Sequence, residues 1–138
     1  MSAVEFALLA PVLIAIPVPI ADLGMGLYAQ MELQNAAQAG AQYALLNIGK
    51  GPLVTTQVQA AVTGASTYLT VTANSAQSCG CPNGTTVVVG PCGTACASGK
   101  QPGTYITVTA QATYTPLVKY PVLGSSVALA AQSTVRIQ

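Results

Sequence analysis

Residues 1–23 read Met1-Ser-Ala-Val-Glu-Phe-Ala-Leu-Leu-Ala-Pro-Val-Leu-Ile-Ala-Ile-Pro-Val-Pro-Ile-Ala-Asp-Leu23. At about 1.5 Å per helical residue, about 20 apolar residues cross a hydrocarbon core of about 30 Å. Two features separate it from an ordinary span. Glu5 lies near its start, and Pro11, Pro17 and Pro19 interrupt it. Each proline lacks an N–H and crowds the preceding turn. Ile16 and Val18 each precede a proline and are pushed toward extended geometry. A helix that loosens or breaks near residues 16–19 is expected. Asp22 would cap its restart by accepting the N–H of Gly24 or Met25. Gly24 and Gly26 weaken the helix further. No Lys or Arg precedes the stretch, and the first base is Lys50. A membrane signal normally has a basic cytoplasmic flank. Its lack points to a leader removed ahead of Met1, which leaves a free amine there.

Residues 23–48 carry helical periodicity. Leu33, Ala37, Ala41, Leu45 and Ile48 form an apolar stripe, with Ala36, Gly40 and Ala44 as a row of small residues beside it. Gly49-Lys-Gly51 ends this helix. Pro52 suits the first turn of a short second helix bearing Val54, Val58 and Val62, which Gly64 ends. After residue 66 the period becomes two. Leu69, Val71 and Ala73 alternate with Thr, Val87–Val89 is a short apolar run, Ile106 to Ala112 alternate with Thr and Gln, and Val127 to Ile137 form a last strand. The fold class is therefore α+β: a long hydrophobic helix broken near Pro17–Pro19, a short helix, and a small antiparallel sheet of three or four strands packed on the Leu33–Ile48 stripe. Residues 1–23 form the membrane and assembly stem. Residues 24–138 form the head, including the distal half of the long helix. Two connections stand out: the Cys/Gly/Pro-rich residues 78–103, and residues 115–126. In the second, Leu117, Val118, Tyr120, Val122 and Leu123 need cover, from the helix or from another subunit.

Only seven residues of 138 are charged. Such a surface suits burial against copies of itself or residence in lipid. There is no basic run, which argues against a nucleic-acid partner. The acids Glu5, Asp22 and Glu32 all precede the bases Lys50, Lys100, Lys119 and Arg136. Asp22 and Glu32 are read either as a cap and a solvated helix residue or as partners of Lys50, Lys119 or Arg136 on neighbours. Cys79, Cys81, Cys92 and Cys96 cluster in a Gly/Thr-rich segment, as disulfides of an oxidising compartment do. Cys79 with Cys81 is too close to bridge. Two pairings stay open: 79–92 with 81–96, or 79–96 with 81–92. The spacing is too tight for an ordinary zinc site, and no Cys-x-x-Cys is present. With no His, and no carboxylate beyond residue 32, general acid–base chemistry lacks its parts. The chain reads as non-enzymatic, with no cofactor and no metal.

A carboxylate at Glu5 inside an apolar helix costs several kcal/mol without a partner. The Met1 amine of a neighbouring subunit would satisfy it and set the axial register. Ser2-Ala-Val-Glu-Phe-Ala-Leu-Leu-Ala-Pro-Val-Leu13 and Leu33-Gln-Asn-Ala-Ala-Gln-Ala-Gly-Ala-Gln-Tyr-Ala44 resemble the N-terminal region of TadE-like proteins, pilin-like components of tight-adherence (Flp) pilus systems. Tyr105 to Ala110, Tyr114 to Leu117 and Ser133 to Arg136 are similar to them as well. The resemblance implies a type IV pilin-like precursor that is anchored in the inner membrane and cleaved by a prepilin peptidase. It implies that Met1, Glu5 and Phe6 lie at the assembly end, with Glu5 at the fifth mature position. Pro17, Pro19 and Asp22 depart from the longer apolar run that the family leads one to expect. TadE-like proteins are usually minor components. Three readings follow: a structural subunit of a homo-oligomeric helical filament on the bacterial surface, a minor pseudopilin of the assembly machinery, or a membrane-tethered binding module.

Overall fold

The computed structural model describes residues 3–48, 54–119 and 124–138. Among these residues, three helices, α1 (Ala3–Ala15), α2 (Pro17–Leu46) and α3 (Thr55–Gly64), precede four strands, β1 (Thr72–Asn83), β2 (Thr86–Gly90), β3 (Gly103–Tyr114) and β4 (Val127–Arg136). The expected α+β architecture is met: a long apolar helix, a short helix, a four-stranded antiparallel sheet and two disulfides.

The interruption of the long helix is narrower than the prolines alone predict. It is confined to Ile16, which itself keeps helical dihedrals (φ −86°, ψ −53°). The reason lies in where α2 begins. Pro17 and Pro19 fall in its first turn, where a missing N–H costs no hydrogen bond. Asp22 consequently lies inside α2 and is no cap. The N–H groups of Gly24 and Met25 are committed to carbonyls four residues earlier. At the far end, Asn47 follows the helix and donates from Nδ2 to the Tyr43 carbonyl at 2.8 Å. The expected terminator Gly49-Lys-Gly51 and the expected helix opener Pro52 lie outside the described residues, as do Met1, Tyr120, Val122 and Leu123.

The strand order is β2-β1-β3-β4, with every pair antiparallel. Period two puts Ile106, Val108, Ala110 and Ala112 of β3 on the helix side. They stand opposite Val135, Ser133, Ala131 and Leu129 of β4. The outer face carries threonines, including a Thr107–Thr134 hydroxyl pair at 3.0 Å. On α2 the buried face is Leu33, Ala36, Ala37, Gly40, Ala41 and Ala44. These steps of three and four merge the small-residue row with the first half of the expected stripe. Leu45 is rotated out and exposed, because a helical face cannot hold both Ala44 and Leu45, and Ile48 is exposed beyond the end of α2 at Leu46. Val58 and Val62 of α3 complete the core, while Val54, expected on the same helix, precedes it and is exposed. Small residues bring the helix axis close to the sheet. A Cβ on Gly40 would strike Val62 Cγ2 and reach within 3.0 Å of Val108 Cγ1.

Residues 78–103 are less of a loop than their composition indicates. β1 runs on to Asn83 and pairs with β2 through Cys79↔Gly90 and Asn83↔Thr86. A two-residue turn joins them, in which Gly84 adopts φ +61°. Successive residues of a strand point to opposite faces, so Cys79 and Cys81 emerge on the same one. They bond Cys92 and Cys96 across Cα separations of 5.2 and 5.7 Å. This is the first of the two pairings left open, and it fastens the segment after β2 onto β1. Each closed loop of about 15 residues contributes about 3 kcal/mol in the chain-entropy account. Replacing Cys79 and Cys92 together by Ser is expected to lower head stability by about 2–4 kcal/mol. Denaturant unfolding followed by tyrosine fluorescence checks this, and an unchanged midpoint would refute it.

Candidate functional site

The candidate site is the stem and its root. No residue of α1 is buried. Phe6, Leu8, Leu13 and Ile14 are each more than three-fifths exposed, and so is Ile20 in α2. The helical run Ala3–Leu46 contains a window long and apolar enough to cross a membrane, none of it buried by the head. Glu5 stands exposed in the first turn of α1, where its charge favours the helix dipole. Phe6 follows it on the open surface.

The head takes hold of the helix at Asp22, which is only 3% exposed. Three donors from the far end of the chain converge on its carboxylate. The Tyr114 hydroxyl donates to Oδ1 at 2.7 Å. The Leu117 N–H donates to Oδ1 at 3.1 Å, and the Val118 N–H donates to Oδ2 at 3.4 Å. Tyr114 also lies 3.1 Å from the Asp22 carbonyl oxygen. Its ring packs over Gly26, where an added Cβ would sit 3.5 Å from Cε1. One turn on, Gln30 donates to the Ala130 carbonyl at 3.0 Å. Asp22, Gly26 and Gln30 are spaced by four, so one row of α2 faces the end of the sheet. An apolar groove of about 490 Å³ opens beside them, bounded by Leu23, Leu27, Pro116, Val127 and Leu129.

Glu32 has a comparable internal role. Its Oε1 accepts the Ser66 hydroxyl and the N–H groups of Thr67 and Tyr68, each at 2.8 Å. It ties the turn after α3 back onto α2, where Tyr28 and Tyr68 meet edge to face at 6.3 Å. The Tyr68 N–H holds the carboxyl below the usual glutamate range. Partial burial opposes that shift, and the Ser66 hydroxyl and the Thr67 N–H reinforce it. A lowered folded pKa means the contact stabilises the head fully above the ordinary glutamate range. That stability is lost as pH falls through the folded value. Glu32→Gln is expected to flatten the acid limb of a melting-temperature profile. A variant profile parallel to the wild type below pH ~5 would contradict it.

Sequence reasoning placed Asp22 at the stem root but missed Tyr114 as its partner. The available signal was the Asp22-Gly26-Gln30 row, which continues into Leu33 and Ala37. Leu117 and Val118 are both brought to Asp22 through their backbones, and their side chains stay exposed. Among the described residues, no three His, Cys, Asp or Glu side chains stand together as a metal site. The model of the family described as TadE-like protein matches residues 1–42. That match covers α1 and most of α2, so the similarity lies in the stem and the greater part of its continuation into the head. No curated protein and no solved structure matches the chain.

Proposed function

Taking the TadE-like stem as premise, we propose that the chain is a structural subunit of a type IV pilus-like extracellular filament. The observation that carries this reading is the uncovered apolar stem, residues 3–21, joined to a head with its own core and two disulfides. Such a surface needs lipid or copies of itself around it. In the precursor the stem spans the inner membrane, and a prepilin peptidase removes the leader. The stems of many subunits then leave lipid and bundle. Bilayer and bundle interior are both apolar, so the transfer costs little hydrophobic free energy. Glu5 is the costly group, and the N-terminal amine of a neighbour offsets it. The interruption at Ile16 gives the stem a point at which to bend in the assembly. The heads, residues 24–138, form the outer surface on the bacterial cell.

The matched family favours a second reading, in which the chain is a minor pseudopilin that primes or caps assembly. Electron microscopy of sheared surface material, with mass spectrometry of the filaments, separates the two. The first expects this chain to dominate filament mass. Filaments that need the chain to form but hold it only as a trace or not at all assign the second, and normal filaments from a strain lacking the chain overturn both.

A further inference from the structure

We propose that Pro116–Lys119 is a second membrane contact, held by Asp22 at the level of the lipid headgroups so that Leu117 and Val118 enter the bilayer surface beside the stem. The proposal rests on the reading that the stem spans a bilayer before assembly. From Ala3 to Asp22 the helix rises about 29 Å, which matches a hydrocarbon core of about 30 Å. Asp22 therefore stands where the core ends on the head side. It is also where the head begins, since it is the first buried residue of α2. Its carboxylate binds the N–H groups of Leu117 and Val118, which fixes those two residues at the same level. Neither side chain is covered: Leu117 is 72% exposed and Val118 39%. The apolar groove bounded by Pro19, Leu23 and Pro116 makes the surface continuous from stem to loop. Lys119 follows, exposed, with a stem long enough to reach lipid phosphates from an apolar neighbourhood. An apolar pair followed by a base suits the boundary between acyl chains and headgroups. The contact would fix the tilt of the head over the membrane.

The test uses the full chain in vesicles of phosphatidylethanolamine and phosphatidylglycerol. All four native cysteines are disulfide-bonded, so single labels are specific. A nitroxide is placed at Leu117→Cys, at Ile14→Cys in the stem, or at Val88→Cys on β2. Collisions with oxygen, which concentrates in lipid, and with a water-soluble nickel chelate are compared. The oxygen-to-nickel ratio at Leu117→Cys is expected to exceed that at Val88→Cys several-fold and to fall below that at Ile14→Cys. Adding Asp22→Asn should lower the ratio at residue 117 and leave residue 14 unchanged. A ratio at 117 equal to that at 88 overturns the proposal. So does protection from both reagents, which would seat the loop against a second copy. An unchanged ratio at 117 in Asp22→Asn removes Asp22 as its cause. A water-exposed Ile14→Cys would instead overturn the membrane reading of the stem itself.

Discussion

Gly40→Leu is expected to abolish cooperative folding of the head, while Gly24→Leu, sixteen residues earlier on the same helix, leaves it intact. Both sites are helical glycines, and intrinsic propensity favours replacing either one by about 1 kcal/mol. Packing reverses the sign at Gly40. A Cβ there would collide with Val62 Cγ2, crowd Val108 Cγ1 at 3.0 Å and touch the Val58 carbonyl at 3.5 Å. Val58, Val62 and Val108 are at most 1% exposed, so none can swing aside without moving α3 or β3. Overpacking of this kind costs typically about 1–3 kcal/mol, and a leucine adds three further carbons beyond the Cβ. A loss of about 4 kcal/mol or more is expected, which is a large part of the stability of a small domain. At Gly24 nothing lies within 4 Å of an added Cβ. Melting of both variants in detergent, followed by circular dichroism, makes the comparison. A Gly40→Leu transition within a few degrees of wild type would contradict the packing.

Glu5→Ala is the second large effect, and it falls on assembly alone. Glu5 is exposed in the subunit, so the head should melt as in the wild type and the stem should still insert into membranes. On the proposed reading, the carboxylate in a bundle of stems faces the N-terminal amine of a neighbour in an apolar surround. Removing one member of such a pair strands the other, at about 3–5 kcal/mol per contact. Each 1.4 kcal/mol is about a factor of ten in an association constant, so filament yield should fall by at least about a hundredfold. Immunogold counts and sheared-fraction blots of a strain carrying Glu5→Ala measure this. Abundant, well-ordered filaments would show that Glu5 does not carry the register.

The parts of the fold that were legible in the sequence follow short-range rules. Alternation placed the helix-facing residues of β3 and β4, and spacings of three and four placed Leu33, Ala37, Val58 and Val62 in the core. What was not legible depends on partners far along the chain. Asp22 looks like a cap because capping is a local use of aspartate. Its true donors are a hydroxyl 92 residues away and two backbone N–H groups beyond it. Glu32 looks solvated on its own helix, and only the turn at Ser66–Tyr68 shows what it holds. The extension of β1 to Asn83 was hidden by Cys, Gly and Pro, which read as loop. That reading weakens once the two cysteines are placed on one face of a strand. Leu45 and Ile48 fitted a stripe by spacing alone, but the small residues Gly40 and Ala44 decide which way the helix turns toward the sheet.

On the proposed reading, the apolar stem exchanges lipid for copies of itself. A photoreactive residue at Ile14 in place of the native side chain tests it most directly, in cells and in sheared surface material. Illumination of filaments is expected to give adducts at multiples of the 13.8 kDa chain, linked stem to stem. Membrane fractions lacking the assembly machinery should give lipid adducts. Surface material that yields no chain-to-chain adduct from Ile14 would contradict the account.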